Sequence, residues 1–492
     1  MSDFISKTRK KEINLVLLLS IVCSLTESFS IAMLVPFISF FVNPDNYIFN
    51  TYFRDFFEYF NITDNKDILS AIVFGFILMV LLSLLLKLKF IKSSNNLTDN
   101  IISDFRIRMF EFLINQDYSY HLKHGTNKIL SNFALKTGPF NQIIFSAINI
   151  INSTLICVAV ISILIFNEPF YTPIAIVTII VFFLIIYRIK SSSVLKKGQI
   201  QSKNQDFMID IFQNSVGYLP EIIIYNLKNF FLKTLSRLSK ELSKNTSEVR
   251  TIGMTPKIYL ETFIIISVIS IVYIASFSDR SLETNLSYIA ILIFGAQKCL
   301  PQINNIYSLS INFRVATPSV NNFLKVLDGG QIHSIIDHKY NDLKFEKSIK
   351  IENISFQYNK HTPNIINKFN FEILKGQKIA IKGQTGSGKS TLANIISGLI
   401  LPTLGNILVD DVLIDSQNLK NWQQNIAIVP QTIFLNDATV LENIAIGVDI
   451  DVINYEKVIK VAKLAQIDSF IESLPNKYKE KVGERGVRLS GG

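Results

Sequence analysis

Six long apolar runs constrain the fold of this chain more than any other feature of its sequence. They lie within the first 325 of its 492 residues, near 13–42, 68–90, 143–166, 171–189, 257–277 and 287–309. A helix needs about 20 apolar residues to cross the hydrocarbon core of a bilayer, and several of the runs meet this length. We therefore predict an all-α membrane domain with six transmembrane helices, which excludes a purely soluble fold.

The first apolar run also raises the alternative of a cleaved signal peptide, because a basic stretch (Lys7, Arg9, Lys10, Lys11) precedes it. The apolar core of a signal peptide is only about 7–15 residues long and is followed by a small-residue cleavage site. This run is longer and lacks such a site. We predict that it is a membrane span.

The distribution of charge predicts how the spans are oriented. The net charge is +10, and Lys and Arg are concentrated in 91–142 and 190–256, whereas the loops on the other side carry only Arg54, Lys66 and Arg280. Since cytoplasmic loops are enriched in Lys and Arg, both termini are predicted to be cytoplasmic. The basic excess then reflects topology, and we expect no nucleic-acid partner.

The loops and cysteines give further expectations. Helical spacing continues the spans into the cytoplasm, with short transverse segments expected near 119–127 and 217–226. The aromatic-rich segment 47–62 is consistent with an interfacial amphipathic helix or with a folded loop. Three cysteines are too few for a disulfide-stapled scaffold. Cys23, Cys157 and Cys299 all lie in apolar runs, so we interpret them as small buried hydrophobic residues.

Beyond residue 330 the composition is that of a soluble α/β domain. Strands are predicted at 349–357, 369–374, 378–382, 406–414 and 426–429, and helices at 388–399 and 454–465. The predicted organisation is a membrane domain over 1–325, a linker over 326–345 and a soluble domain over 346–492.

A glycine-rich motif in the soluble domain predicts a phosphate site. It matches G-x-x-x-x-G-K-[ST] between a predicted strand and a predicted helix, and consists of Gly383, Gln384, Thr385, Gly386, Ser387, Gly388, Lys389, Ser390 and Thr391. Glycines let the backbone wrap so that successive N–H groups face an anion at a helix N-terminus. Lys389 is predicted to reach the β- and γ-phosphates, and Ser390 to ligate Mg²⁺. The expected cofactors are ATP and Mg²⁺.

With these residues in place, the soluble domain resembles the nucleotide-binding domain of ABC transporters, an α/β P-loop (RecA-like) fold. The resemblance implies that Tyr358 stacks on adenine, that Gln431 contacts Mg²⁺, and that Gly483-Glu-Arg-Gly486 touches the membrane domain. It also implies that the start of the signature motif, Leu489, Ser490, Gly491 and Gly492, caps the γ-phosphate held by a second subunit.

Six spans followed by this domain resemble the half-transporter layout of type IV exporters. The resemblance implies an ATP-driven translocase in the bacterial inner membrane, working as a homodimer or with a sister half-transporter. It also implies that the Walker B aspartate and the catalytic glutamate lie downstream of Gly492. We therefore expect a truncated nucleotide-binding domain with no catalytic residue in the chain as written, and ATP hydrolysis by the full-length transporter; an inactive natural product is the alternative.

Two charged residues within the spans are candidates for a substrate cavity. Glu27 lies about 20 Å from the inner end of the first span and Lys298 about 16 Å from the outer end of the sixth, so both are predicted near mid-membrane. A charge there is costly unless it is paired or functional. We hypothesise that Glu27 and Lys298 face the cavity and pair, or that Lys298 meets an anionic headgroup; a purely structural polar contact is the alternative.

The segments around these two residues also resemble lipid-linked oligosaccharide flippases and related polysaccharide exporters. The resemblance implies a lipid-linked or amphipathic substrate. The alternatives are a general lipid, drug or peptide exporter, and, in a different class, a regulator that binds nucleotide without transport.

Overall fold

The computed structural model describes residues 7–33, 37, 65–124, 126–167, 171–275, 282–328, 343–358, 362–431 and 433–483. The chain divides into two compact units, Met1–Asp337 and His338–Gly492. The predicted outer segment 47–62 lies outside the described residues.

The first unit is helical throughout its described part. Its helices are α1 (Lys7–Ala32), α2 (Asn65–Ile114), α3 (Tyr118–His124), α4 (Thr126–Asn167), α5 (Tyr171–Gly217), α6 (Leu219–Ile224), α7 (Lys228–Ala275) and α8 (Leu282–Asp328). The short helices α3 and α6 lie at the two segments predicted to be short and transverse, which confirms the short segments, while their transverse orientation stays a prediction. The 50 residues of α2 span about 75 Å at 1.5 Å per residue, far more than a bilayer core requires.

Three helices in the described part of the chain are long and apolar enough to cross a membrane. These segments are Lys7–Ser30, Asp67–Ile114 and Thr137–Phe166, which correspond to the first three predicted spans. The predicted spans 171–189, 257–277 and 287–309 fall within α5, α7 and α8, apart from residues 276–277 at the end of the fifth. Apolar side chains along α2, from Phe74 to Ile91, are exposed on its outer face, as expected for a surface that contacts lipid.

Helices α1, α2 and α4 pack around a shared apolar seam. Val16, Leu19 and Cys23 of α1 contact Phe90 and Leu97 of α2, with Ile148 of α4 against the same cluster. At one end of the seam the Arg9 guanidinium donates to the Asp104 carboxylate over 2.8 Å. This ion pair joins α1 to α2 beyond the apolar seam.

Helices α5, α7 and α8 form a second packing group around Val194, Val249, Tyr307 and Ile311. Here Gly198 of α5 lies so close to α8 that an added Cβ would stand 2.7 Å from the Val315 carbonyl oxygen. Small residues allow membrane helices to approach in this way, so Gly198 sets the α5–α8 spacing.

The second unit contains a four-stranded antiparallel sheet. Its strands are β1 (Ser348–Phe356), β2 (Ile366–Leu374), β3 (Leu404–Val409) and β4 (Val412–Leu413), in the order β2-β1-β3-β4. The predicted single strand over 406–414 is instead a hairpin. Its turn residues Asp410 and Asp411 have φ angles of 48° and 65°, which are typical of a tight type I′ turn.

Helices complete this unit around two apolar cores. They are α9 (Lys389–Ile396), α10 (Leu419–Gln423), α11 (Val440–Ile444), α12 (Tyr455–Leu464) and α13 (Asp468–Ser473). Ile395 of α9 and Trp422 of α10 pack on the sheet, whereas Val440, Ala462 and Ile471 join α11, α12 and α13 in a separate core. The helices predicted at 388–399 and 454–465 are confirmed as α9 and α12.

The strands predicted at 378–382 and 426–429 are wrong for the described structure. Both segments are irregular and pair with no strand among the described residues. Their apolar side chains are largely exposed, including Ile379, Ile381 and Val429. A run of β-branched residues makes a strand only when a neighbour accepts its hydrogen bonds.

Candidate nucleotide-binding site

The glycine-rich loop between β2 and α9 has the backbone conformation that its sequence predicts. Gly386 and Gly388 adopt φ angles of 85° and 89°, a left-handed conformation that other residues seldom adopt. The Ser387 N–H donates to the Gln384 carbonyl over 3.1 Å and closes the turn. After this turn, the chain enters the first turn of α9 at Lys389.

The N-terminus of α9 faces this loop without a side-chain cap. Its capping residue is Gly388, which has no side chain to accept from the first helical N–H groups. These N–H groups have no partner within the helix. Together with the helix dipole they favour an anion, and a phosphate group supplies the acceptors that they lack.

Lys389 lies across the mouth of the loop. Its Nζ donates to the carbonyl oxygens of Gly383, over 2.9 Å, and Gln384, over 2.8 Å. An ammonium group has three donors, so one remains for a ligand while the other two hold the amine at the loop. The geometry places a fixed positive charge beside the N-terminus of α9.

The glycines also allow the loop to pack closely against Ile365 and against its own Ser387. An added Cβ on Gly388 would stand 2.8 Å from Ile365 Cγ2, and one on Gly383 would stand 2.6 Å from Ser387 Oγ. Ser390, the next residue in α9, is exposed and presents a hydroxyl that suits Mg²⁺. The N–H donors, the Lys389 charge and the Ser390 hydroxyl therefore fit a nucleotide phosphate with Mg²⁺.

A substitution at Gly388 tests whether the glycine-rich loop before α9 binds the phosphates of ATP. Gly388→Ala must adopt an unfavourable φ and must also displace Ile365, so we expect ATP affinity to fall about tenfold or more, from a penalty of roughly 1–2 kcal/mol for the backbone alone. Gly376→Ala is the matched control, since Gly376 has a φ of 81° but no atom within 4 Å of an added Cβ. Titration with a fluorescent ATP analogue compares the two. Equal affinity in both variants would contradict the role of Gly388.

The structure connects Tyr358 to the phosphate loop through a contact that the sequence did not predict. The Tyr358 hydroxyl lies 3.0 Å from Thr391 Oγ1 in α9, and its ring packs edge-on against Phe356 with centroids 5.0 Å apart. These contacts fix the ring beside the first turn of α9. Its stacking on adenine stays a prediction.

For the remaining predicted site residues, the structure gives fewer contacts or does not describe them. Gln431 is exposed on an irregular segment beyond α10, and its contact with Mg²⁺ stays a prediction. Gly483 is described and has a φ of 73°. The rest of that motif, 484–486, and the signature residues Leu489, Ser490, Gly491 and Gly492 lie outside the described residues.

In the membrane unit, Glu27 has a different partner from the one predicted. Lys87 Nζ of α2 lies 2.6 Å from Glu27 Oε1, and Glu27 is only 5% exposed. Lys298 is exposed on α8, so the predicted Glu27–Lys298 pair is wrong. The antiparallel packing of α1 on α2 explains the difference, because it brings Lys87 opposite Glu27. A lysine inside the second apolar run was the sequence signal for this pair.

Comparison with known proteins agrees with the site and the fold. Residues 366–492 match the family model described as ABC transporter. The chain is 24% identical over 398 residues to an ATP-dependent lipid A-core flippase of Shewanella oneidensis, covering 80% of this chain and 65% of that protein. It is also 24% identical over 404 residues to a multidrug resistance-like ATP-binding protein of Buchnera aphidicola, covering 79% and 66%.

The fold comparison covers nearly the whole chain. The structure of a bacterial Atm1-family ABC exporter with ATP bound superposes with a TM-score of 0.76 at 17% identity, covering 99% of this chain and 81% of that one. The match to the Shewanella protein extends over slightly less than two thirds of its length. From its phosphate loop and its family match, residues 366–492 form an ABC transporter nucleotide-binding domain that binds ATP with Mg²⁺, and the chain has the fold of an ABC exporter.

Proposed function

We propose that the complete protein uses ATP to export or flip a lipid-linked or amphipathic substrate across the bacterial inner membrane. One observation carries this proposal. The same chain contains helices long and apolar enough to span a membrane and a phosphate loop that holds Lys389 at a helix N-terminus. The names of the relatives, a lipid flippase and a multidrug resistance-like protein, support export of an apolar or amphipathic molecule.

The residues of the phosphate loop have separable roles in this proposal. The N–H groups at the start of α9 and the Lys389 ammonium bind and orient the phosphates, which positions the terminal group for transfer to water. Ser390 and Gln431 hold Mg²⁺, which neutralises negative charge on the phosphates when it is bound. Tyr358, fixed by Thr391 and Phe356, supplies an aromatic face for adenine.

A second subunit completes the assembly in this proposal. The chain has one phosphate loop and one run of membrane segments, so two copies, or one copy with a sister half-transporter, would supply two sites. The signature residues 489–492 of one subunit would then cap the phosphate bound by the other. Closure of the two nucleotide-binding domains would drive the long helices toward an outward-facing arrangement.

For the substrate we propose a lipid-linked oligosaccharide or polysaccharide precursor. The segments around Glu27 and Lys298 resemble flippases of this class, and Lys298 remains an exposed cation on α8 that suits an anionic headgroup. A general lipid or drug exporter is the alternative that the Buchnera relative favours. Stimulation of ATP turnover by a polyprenyl-linked glycan, but not by a drug panel, supports the first; the reverse supports the second.

Lys298 can be tested directly. We expect Lys298→Ala to lower the rate of flipping of an anionic lipid-linked substrate by about tenfold, because one charge-assisted contact to a phosphate is lost. Basal ATP turnover should be retained. Lys257→Ala is the control, since Lys257 is a half-exposed lysine of α7 that pairs with Glu261 within its own helix. Normal flipping by Lys298→Ala would remove Lys298 from the substrate path.

A further inference from the structure

Thr391, in the first turn of α9, is bonded differently from most threonines in the helices of the membrane unit. Inside a helix, a threonine hydroxyl usually donates to the carbonyl oxygen one turn earlier in the same helix. Six threonines of α4, α7 and α8 do so: Thr154, Thr234, Thr251, Thr255, Thr262 and Thr317. The Thr391 hydroxyl instead lies 3.0 Å from the hydroxyl of Tyr358, a residue 33 positions earlier in the chain.

The position of Thr391 within α9 explains this difference. The helix begins at Lys389, so Thr391 is its third residue, and the residue four positions earlier, Ser387, lies in the phosphate loop. No residue of α9 therefore stands one turn before Thr391. Its side chain is also buried, with 6% exposure. Since an unpaired hydroxyl is costly in a buried position, the contact with Tyr358 supplies the partner that the helix does not.

The tyrosine in this contact is held at a second point by the end of β1. Phe356, the last residue of β1, is 5% exposed and packs edge-on against the half-buried Tyr358 ring, at an angle of 86° between the two planes. Phe356 alone leaves the side chain free to adopt other staggered rotamers. The added contact at the hydroxyl selects the rotamer that points toward α9.

We infer that Thr391 is a positioning residue for the base of the bound nucleotide, because its hydroxyl holds the Tyr358 ring in place beside the phosphate loop. Thr391 directly follows Lys389 and Ser390, so one helical turn both binds the phosphates and orients the aromatic face. The base then meets a ring that is already ordered, which lowers the entropic cost of binding. This inference rests on the proposed function, in which Tyr358 supplies the face for adenine.

The experiment separates the base from the phosphates by comparing two ligands. The full-length protein in detergent is titrated with a non-hydrolysable ATP analogue and with inorganic triphosphate, which has no base, both with Mg²⁺. We expect Thr391→Val to weaken binding of the ATP analogue about fivefold, the worth of one neutral hydrogen bond, and to change triphosphate binding by less than about twofold. Thr391→Ser keeps the hydroxyl and should bind both ligands like the wild type.

Tyr358→Phe tests the same contact from its other side, because it keeps the ring and removes only the hydroxyl. We expect the same loss of affinity for the ATP analogue as in Thr391→Val. The double variant should lose no more than either single variant, since both substitutions remove one shared hydrogen bond. In turnover assays each single variant should raise KM for ATP and leave kcat nearly unchanged, as expected when only binding is weakened.

Three results would overturn the inference. They are wild-type affinity of Thr391→Val for the ATP analogue, an equal loss of its affinity for triphosphate, and additive losses in the double variant. The phosphate site itself is tested separately with Lys389→Ala, which should weaken triphosphate binding. If it does not, the phosphate site fails, and the proposed function fails together with the inference that rests on it.

Discussion

Replacing Lys389 with alanine is expected to lower ATP turnover of the full-length protein by at least about 100-fold, the usual cost of removing one fixed charge-stabilising donor from a reaction centre. The ammonium is held by the carbonyls of Gly383 and Gln384, so it meets the developing charge on the phosphates without having to reorganise. In the Lys389→Ala variant the glycines still set the backbone conformation of the loop, but the positive charge is gone. Phosphate release measures turnover, and a fluorescent ATP analogue measures binding.

The matched control for this prediction is Lys378→Ala. Lys378 is an exposed lysine of the segment that leads into the same loop. We expect its replacement to leave turnover within about twofold of the wild type, as for an ordinary surface substitution. Full turnover by Lys389→Ala, or an equal loss in both variants, would contradict the assigned role.

Replacing Lys87 with alanine is expected to destabilise the membrane unit markedly. Glu27 is 5% exposed, and its Oε1 accepts from Lys87 Nζ over 2.6 Å. Removing Lys87 leaves the buried Glu27 charge uncompensated, which costs about 3–5 kcal/mol for a fully buried pair and less where one partner is half exposed, as Lys87 is. The exposed part of Lys87 lies on the apolar outer face of α2, where little water is available to replace it. Thermal unfolding in detergent should show a markedly lower midpoint.

Two companion variants make this prediction specific to the pair. Lys89→Ala removes an exposed lysine two residues along α2 and should leave the unfolding midpoint nearly unchanged. The double variant with Glu27→Gln and Lys87→Met should recover most of the lost stability, because no isolated charge remains. If Lys87→Ala and Lys89→Ala unfold at the same temperature, the Glu27–Lys87 pair does not stabilise the protein.

Features encoded by local sequence could be predicted without the structure. The long apolar runs identify α1, α2 and α4 because bilayer thickness fixes the length of a span. The glycine motif identifies the loop before α9 because only glycine adopts φ angles such as those of Gly386 and Gly388 cheaply. The turns at α3 and α6 followed from helical spacing interrupted between long segments.

Features that depend on which elements pack together could not be predicted in this way. The Glu27–Lys87 pair joins two helices, and no local pattern specifies the register between them. The contact between Tyr358 and Thr391 likewise depends on how β1 meets α9. The strand predicted at 378–382 failed because a β-branched run does not reveal whether a pairing partner is present.

Flipping in reconstituted vesicles shows directly whether ATP drives lipid translocation by this protein. The full-length protein and its Lys389→Ala variant are inserted into vesicles that contain either a fluorescent polyprenyl-linked glycan or a fluorescent phospholipid, and dye quenching reports the leaflet. We predict that ATP with Mg²⁺ moves the glycan lipid across the bilayer, and that the Lys389→Ala variant moves neither lipid. Translocation at the same rate without ATP, or by the Lys389→Ala variant, would contradict this prediction.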